Sequence, residues 1–126
     1  MISNNKYRYI EIADSVSRLS NYSIKVGAVI ERGGNVLSVG HNKVFSDNNI
    51  RRYNGKKVRS IHAELMAIVK AGRNVEGSTI YIASRRKDGK FRISRPCQVC
   101  LSAIEEAGIR YIVYFDGESF VREKVK

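Results

Sequence analysis

The sequence predicts an α/β protein, one β-sheet with helices packed on its faces. Three observations lead there. Helix-period and strand-period segments alternate along the chain in the order α-β-β-α-β-α-β-β. Thr79–Ser84 is a short run of mostly apolar, β-favouring residues, fit for the interior of a sheet. Finally, 43% of the 126 residues are apolar, enough for one core, and no repeat, low-complexity tract or linker divides the chain. One domain, residues 1–126, is expected.

The elements follow in order. Tyr9, Ile12, Val16 and Leu19 recur at helical spacing, with charged residues between them, so Lys6–Leu19 reads as an amphipathic helix. Lys25–Glu31 reads as a strand, Arg32–Asn35 as a turn, and Val36–Gly40 as the returning hairpin partner. His41 to Arg59 is polar and without periodicity; a connection of that length is usually functional. Ser60 can cap a helix that runs through Leu65, Met66, Ile68 and Val69 to Gly72. After the Thr79–Ser84 strand, Arg85–Arg92 carries an Asp88-Gly89 turn and reads as a basic flap. Pro96 suits the first position of a helix ending near Ala107-Gly108. Tyr111–Phe115 is a strand, Asp116-Gly117 turns it, and Ser119–Val125 returns as an antiparallel edge strand.

Composition excludes several classes. No apolar run approaches the length of a membrane span. Met1–Lys6 has no apolar h-region, so a secretory signal is not expected. Both cysteines fall in one C-x-x-C motif, which leaves none for a disulfide and suggests a reducing, cytoplasmic compartment. Net charge is +11, from 23 basic and 12 acidic residues, which favours phosphate-bearing partners and says nothing about fold.

The chemistry resides in His62-Ala63-Glu64 and Pro96-Cys97-Gln98-Val99-Cys100. Cys97 and Cys100 stand three apart at a helix start, nearly on one face, where first-turn N–H groups favour thiolate. His62 and Glu64 do not share a helical face, but from a first turn both can point past the helix end into one pocket. One imidazole and two thiolates hold a zinc ion with one position open for water, as catalytic zinc sites do. Zinc lowers the pKa of bound water from 15.7 toward ~7, and Glu64, beside it, is placed to carry the proton. The alternative is a closed Cys2His2 site, whose fourth ligand would have to be His41, the only other histidine.

This H-x-E…P-C-x-x-C pattern resembles the signature of the cytidine deaminase superfamily, over about Val26 to Val125. The resemblance implies a three-layer α-β-α fold with a five-stranded sheet in the order 2-1-3-4-5; the family's branches differ in the direction of the last strand, and the Asp116-Gly117 turn points to the antiparallel arrangement, hence a mixed sheet. The resemblance also implies Zn2+ on His62, Cys97 and Cys100, Glu64 as proton shuttle, and hydrolytic conversion of cytosine to uracil with release of ammonia. Val26-Gly27-Ala28-Val29 is similar to the family's first strand, which places the Ala28 backbone near the base. Gly40-His41-Asn42 is similar to the segment whose asparagine contacts sugar or base, and Ala63 would offer backbone to the base edge. Relatives are often dimers or tetramers, so a homo-oligomer is expected. Many relatives pass from the third strand to P-C-x-x-C within a few residues, whereas about a dozen intervene here.

Charge bears on the substrate. Arg51, Arg52, Lys56, Lys57 and Arg59 precede the His62 helix; Arg85, Arg86, Lys87, Lys90, Arg92 and Arg95 precede the cysteine helix. These hold 11 of the 23 cations and should rim the pocket mouth, with Tyr53 and Phe91 interleaved for stacking. The reading is cytosine in single-stranded nucleic acid, with Arg95, Tyr53 and Phe91 as contacts. Free (deoxy)cytidine nucleotide such as dCMP is the alternative, adenine in RNA a further one. A non-catalytic, zinc-stabilised nucleic-acid binder is the reading from a different class.

Overall fold

A computed structural model describes residues 4–45, 51–53, 56–58, 60–72 and 74–125. Helix α1 spans Asn4–Ser17. Strands β1 (Val26–Arg32) and β2 (Asn35–His41) form the expected hairpin, with Gly27 opposite His41 and Arg32 opposite Asn35. β7 (Thr79–Ser84), β8 (Tyr111–Phe115) and β9 (Phe120–Lys124) complete a five-stranded sheet in the order β2-β1-β7-β8-β9. Only β7 and β8 run parallel, joined through helix α3 (Gln98–Glu106) as a parallel connection demands. β9 pairs antiparallel with β8, Phe115 opposite Phe120. This is the mixed sheet and strand order expected from the sequence.

Period-two alternation divides the core between two faces. Val29, Tyr81, Ala83, Val113 and Phe120 point to the side covered by α1, against Tyr9, Ile10 and Ala13. Ala28, Ile30, Ile80, Ile82, Ile112 and Tyr114 point to the other side, against Ala63, Ala67 and Ile104. Ala63 and Ala67 belong to helix α2 (Ala63–Ala71), and Ile104 to α3. The two helices that carry the motifs therefore share one face. Each isoleucine buried there stabilises the fold by roughly 1.5–3 kcal/mol relative to exposure.

Two glycines set how closely helices approach the sheet. A Cβ on Gly40 would stand 2.5 Å from the Ala67 backbone nitrogen, and one on Gly27 would stand 2.7 Å from that of Ser17. Glycine lets α2 lie directly on β2, and α1 on β1.

The structure corrects several expected boundaries. The 41–59 stretch carries strand pairing: β3 (Lys43–Val44) with β6 (Ser60–Ile61), and β4 (Arg51–Tyr53) with β5 (Lys56–Val58). Ser60 is therefore in a strand, and His62 occupies the N-cap of α2. Cys97 is the N-cap of α3, so Pro96 stands just outside the helix rather than at its first position. Among the described residues no helix is long and apolar enough to cross a membrane.

Candidate active site

Both helices that carry the motif begin at a metal-ligand residue. The His62 carbonyl accepts the Met66 N–H at 3.0 Å, and the Cys97 carbonyl accepts the Leu101 N–H at 2.9 Å, the first bonds of α2 and α3. Neither side chain bonds its own helix, so both are free to face away from it. They face each other. His62 Nδ1 lies 3.3 Å from Cys100 Sγ and 3.6 Å from Cys97 Sγ, and the three donor atoms all lie within 4.8 Å of one another. A tetrahedral zinc with Zn–S of ~2.3 Å and Zn–N of ~2.0 Å spans N···S edges of about 3.6 Å. The donor set fits zinc in identity and in spacing.

The surroundings of Cys100 also call for a cation. It is fully buried, and burial together with the nearby Glu64 carboxylate and Cys97 pushes its thiol up. Without a metal that sulfur stays protonated; a dication beside it reverses the balance and makes it a thiolate ligand. His41 does not join the group. Its ring Nδ1 lies 3.1 Å from the Asn42 carbonyl, and among the described residues the donor cluster is His62, Cys97 and Cys100. The closed Cys2His2 alternative is not formed.

Glu64 occupies the second position of α2, 6% exposed. Burial raises its carboxyl above the ordinary range, partly offset by its own backbone N–H and by His62. His62, Glu64 and Cys97 line one cleft of about 260 Å3 with Ala63, Asn42 and Arg95. The cleft opens where β7 ends and β1 begins, the strand edge at which α/β sheets commonly bind ligands.

Other expected site residues fall elsewhere. Ala28 is fully buried in mid-β1, paired with Gly40 on one side and Ile82 on the other; Val26, at the strand's start, lines the cleft instead. Phe91 packs edge-on against Phe120, with ring centroids 4.8 Å apart, and Arg85 lies over its face at 4.1 Å. That ring packs against the core on the α1 face of the sheet and lines the neighbouring basin, not the cleft. Arg85 is tied to Asp14 of α1, its Nε 2.9 and 3.0 Å from the two carboxylate oxygens. Arg86, Lys87 and Arg92 border a separate basin of about 630 Å3, and Arg92 also reaches the cleft. Lys90 is exposed on the flap and lines neither. The side chains of Arg51, Arg52, Tyr53, Lys56 and Lys57, and all of Arg59, lie outside the described residues.

Sequence reasoning missed Ser84 and Ser94, which line the cleft at the two ends of the flap. Ser94 Oγ donates to the Ile82 carbonyl at 3.1 Å and accepts the Phe115 N–H at 3.1 Å, pinning the flap beside β7 and β8. Nothing in a lone serine signals this; only the flap's closure onto β7 brings it there.

A buried carboxylate beside a three-donor zinc centre, at one edge of a mixed α/β sheet, defines a zinc-dependent hydrolase. Comparison with known proteins specifies it. The family model described as the cytidine and deoxycytidylate deaminase zinc-binding region matches residues 3–116, and the chain belongs to that family. It is a zinc-dependent hydrolytic deaminase. A deoxycytidylate deaminase of Enterobacteria phage T2 is 31% identical, over 83% of this chain and 76% of its own length. The dCMP deaminase of cyanophage S-TIM5, solved in apo form, superposes with a TM-score of 0.66 at 26% identity, covering 89% of this chain and 82% of that one. The same enzyme has been solved in complex with dCMP and dUMP. A cytidine deaminase from Burkholderia pseudomallei, 18% identical, shares the fold over 98% of this chain and 94% of its own, with a TM-score of 0.68.

Proposed function

We propose that the protein deaminates a free deoxycytidine nucleotide, dCMP in the first instance, to the uracil nucleotide and ammonia. The observation that carries the chemistry is the single cleft that brings Glu64 to His62 and Cys97. The substrate is supported by the likeness to phage deoxycytidylate deaminases. Such a nucleotide-processing role fits a reducing, cytoplasmic setting, in which the two free cysteines stay available as ligands.

Zinc held by His62, Cys97 and Cys100 supplies the Lewis acidity that makes water a nucleophile near neutral pH. The chain's own residues handle the protons and the orientation. Glu64 takes a proton from the attacking water, gives it to the ring nitrogen beside the aminated carbon, and transfers the second to the departing amine. The carbon–nitrogen bond breaks, ammonia leaves, the ring carbon becomes a carbonyl, and Glu64 ends as it began. Burial, which raises the Glu64 carboxyl, brings its affinity for protons closer to that of its partners. Ala63, buried at the first position of α2 on the cleft wall, orients the base edge. Asn42, which also lines the cleft, meets the sugar.

A second reading, cytosine in a single strand, draws on the basin beside the cleft, where Arg86, Lys87 and Arg92 stand together. One experiment separates the two. The protein is incubated with dCMP, dCTP, cytidine, RNA and single-stranded DNA, and uracil and ammonia are measured. Turnover of dCMP supports the proposal; turnover confined to oligonucleotides overturns it in favour of the second reading. In the same assay Glu64→Gln is expected to lower the rate by at least ~10²–10⁴-fold, with bound zinc unchanged.

A further inference from the structure

The flap between β7 and the cysteine helix delivers two guanidinium groups to the cleft, and they are not equivalent. Arg95 is committed: its Nε and Nη2 donate to both oxygens of Glu123, at 3.1 and 2.9 Å. Its neighbours on the flap are committed as well, Arg85 to Asp14 and Arg86 to Asp88 at 3.0 Å. Arg92 differs. Among the described residues it has no acidic partner, and its Nε is a buried side-chain nitrogen with no hydrogen-bond acceptor. A buried guanidinium N–H without an acceptor is a costly arrangement that native proteins seldom keep without reason.

The position of Arg92 is also fixed by the backbone. Its N–H donates to the Ser84 carbonyl at 2.8 Å, and the preceding residue forms an isolated bridge with Arg85. The flap is thereby stitched to the end of β7. Arg92 lies on the partition between the catalytic cleft and the basin lined by Arg86 and Lys87. A ligand in the cleft whose far end carries an anion would meet this side chain. Arginine suits such an anion, since its planar fork of donors matches phosphate oxygens in pairs.

We infer that Arg92 is a specificity-determining residue that binds the substrate's phosphate, so that the flap selects a nucleotide over a nucleoside. The inference rests on the deoxycytidine-nucleotide reading above. The two terminal nitrogens of Arg92 donate to two phosphate oxygens, while Arg95, neutralised by Glu123, contributes shape to the cleft mouth.

The test compares kcat/KM for dCMP with kcat/KM for deoxycytidine, which has the same base and sugar and no phosphate. Wild-type protein is expected to favour dCMP. Arg92→Gln should lower the ratio of the two by tenfold or more, mainly through KM for dCMP. Arg92→Lys keeps the charge but not the fork; it should also lower the ratio, to a smaller extent, and it supplies the measurement should Arg92→Gln not fold. Zinc content of each variant distinguishes lost selectivity from a lost fold. A ratio unchanged in a folded variant overturns the inference while leaving the function standing. Wild-type protein with no preference for dCMP overturns the nucleotide reading itself.

Discussion

Asn42 shows how a single residue can belong to both fold and site. Its Oδ1 accepts the Val26 N–H at 2.9 Å, and its Nδ2 donates to the Ile24 carbonyl at 2.6 Å. The amide thus holds the entry to β1 against the exit from β2, while the residue still lines the cleft. A net hydrogen bond is worth ~1 kcal/mol, so Asn42→Ala should cost roughly 1–2 kcal/mol, measurable by urea unfolding, and should raise KM as well. If KM rises with no loss of stability, the two backbone bonds do not matter. Asn42 stood in the sequence only as a candidate contact, through the family resemblance, with no sign of the clamp, because its partners lie 16 and 18 positions away and depend on strand register. The same holds for Arg85, read as part of a free basic rim, whose carboxylate partner Asp14 is 71 positions distant. His62, Cys97 and Cys100 were legible as a donor set because metal chemistry admits few residue types and fixed spacings. Long-range pairing has no such code.

At the scale of elements, the apolar strands were easiest to read. Thr79–Ser84 and Tyr111–Phe115 have the boundaries expected, since a strand covered on both faces reads as a mostly apolar run. The pairing of Arg51–Tyr53 with Lys56–Val58 could not be read, since Arg-Arg-Tyr and Lys-Lys-Val show no apolar alternation. The start of α2 was misjudged for a different reason. Serine is the better cap by propensity, yet His62 takes the position because its side chain is needed at the metal and not at the helix. What seats α2 so that His62 and Glu64 reach the cleft is Gly40. Its missing side chain leaves room for the backbone of Ala63 and Ala67 to rest on β2. A methyl group there meets backbone, which cannot rotate aside. Gly40→Ala should therefore destabilise the protein by about 1–3 kcal/mol. It should also lower kcat, because the N-terminus of α2 shifts with the rest of the helix. Thermal melting and steady-state kinetics check both; a variant that melts like wild type at full kcat would show that α2 adjusts without moving its first turn.

Across the whole molecule, the metal donors come from parts of the chain that are distant in sequence. His62 lies at the end of the 41–61 connection and Cys97 at the end of the flap, 35 positions apart in sequence. Each is the N-cap of a helix packed on the same sheet face. Most of the core does not depend on a metal link: Ile80, Ile82, Ile112 and Ile104 pack on one face, Tyr81, Val113 and Phe120 on the other. Removing zinc should therefore weaken the fold without abolishing it. Ligand binding to the native state adds RT ln(1 + [L]/Kd), or about 4 kcal/mol at a free concentration of 1,000 Kd. At ~1 kcal/mol per 3–6 °C for a domain of this size, melting should fall by roughly 12–24 °C on chelation. Far-ultraviolet circular dichroism should keep its α/β form, and added zinc should restore both melting temperature and activity. The loss should be concentrated at the helix starts, where Cys100 is left as a buried, protonated thiol and the caps of α2 and α3 lose their common partner. Hydrogen exchange of the apo protein should thus quicken in residues 60–68 and 94–102 before it quickens in β7 and β8. Uniform loss of protection across the sheet would mean instead that the ion holds the whole fold together, as it does in a zinc finger.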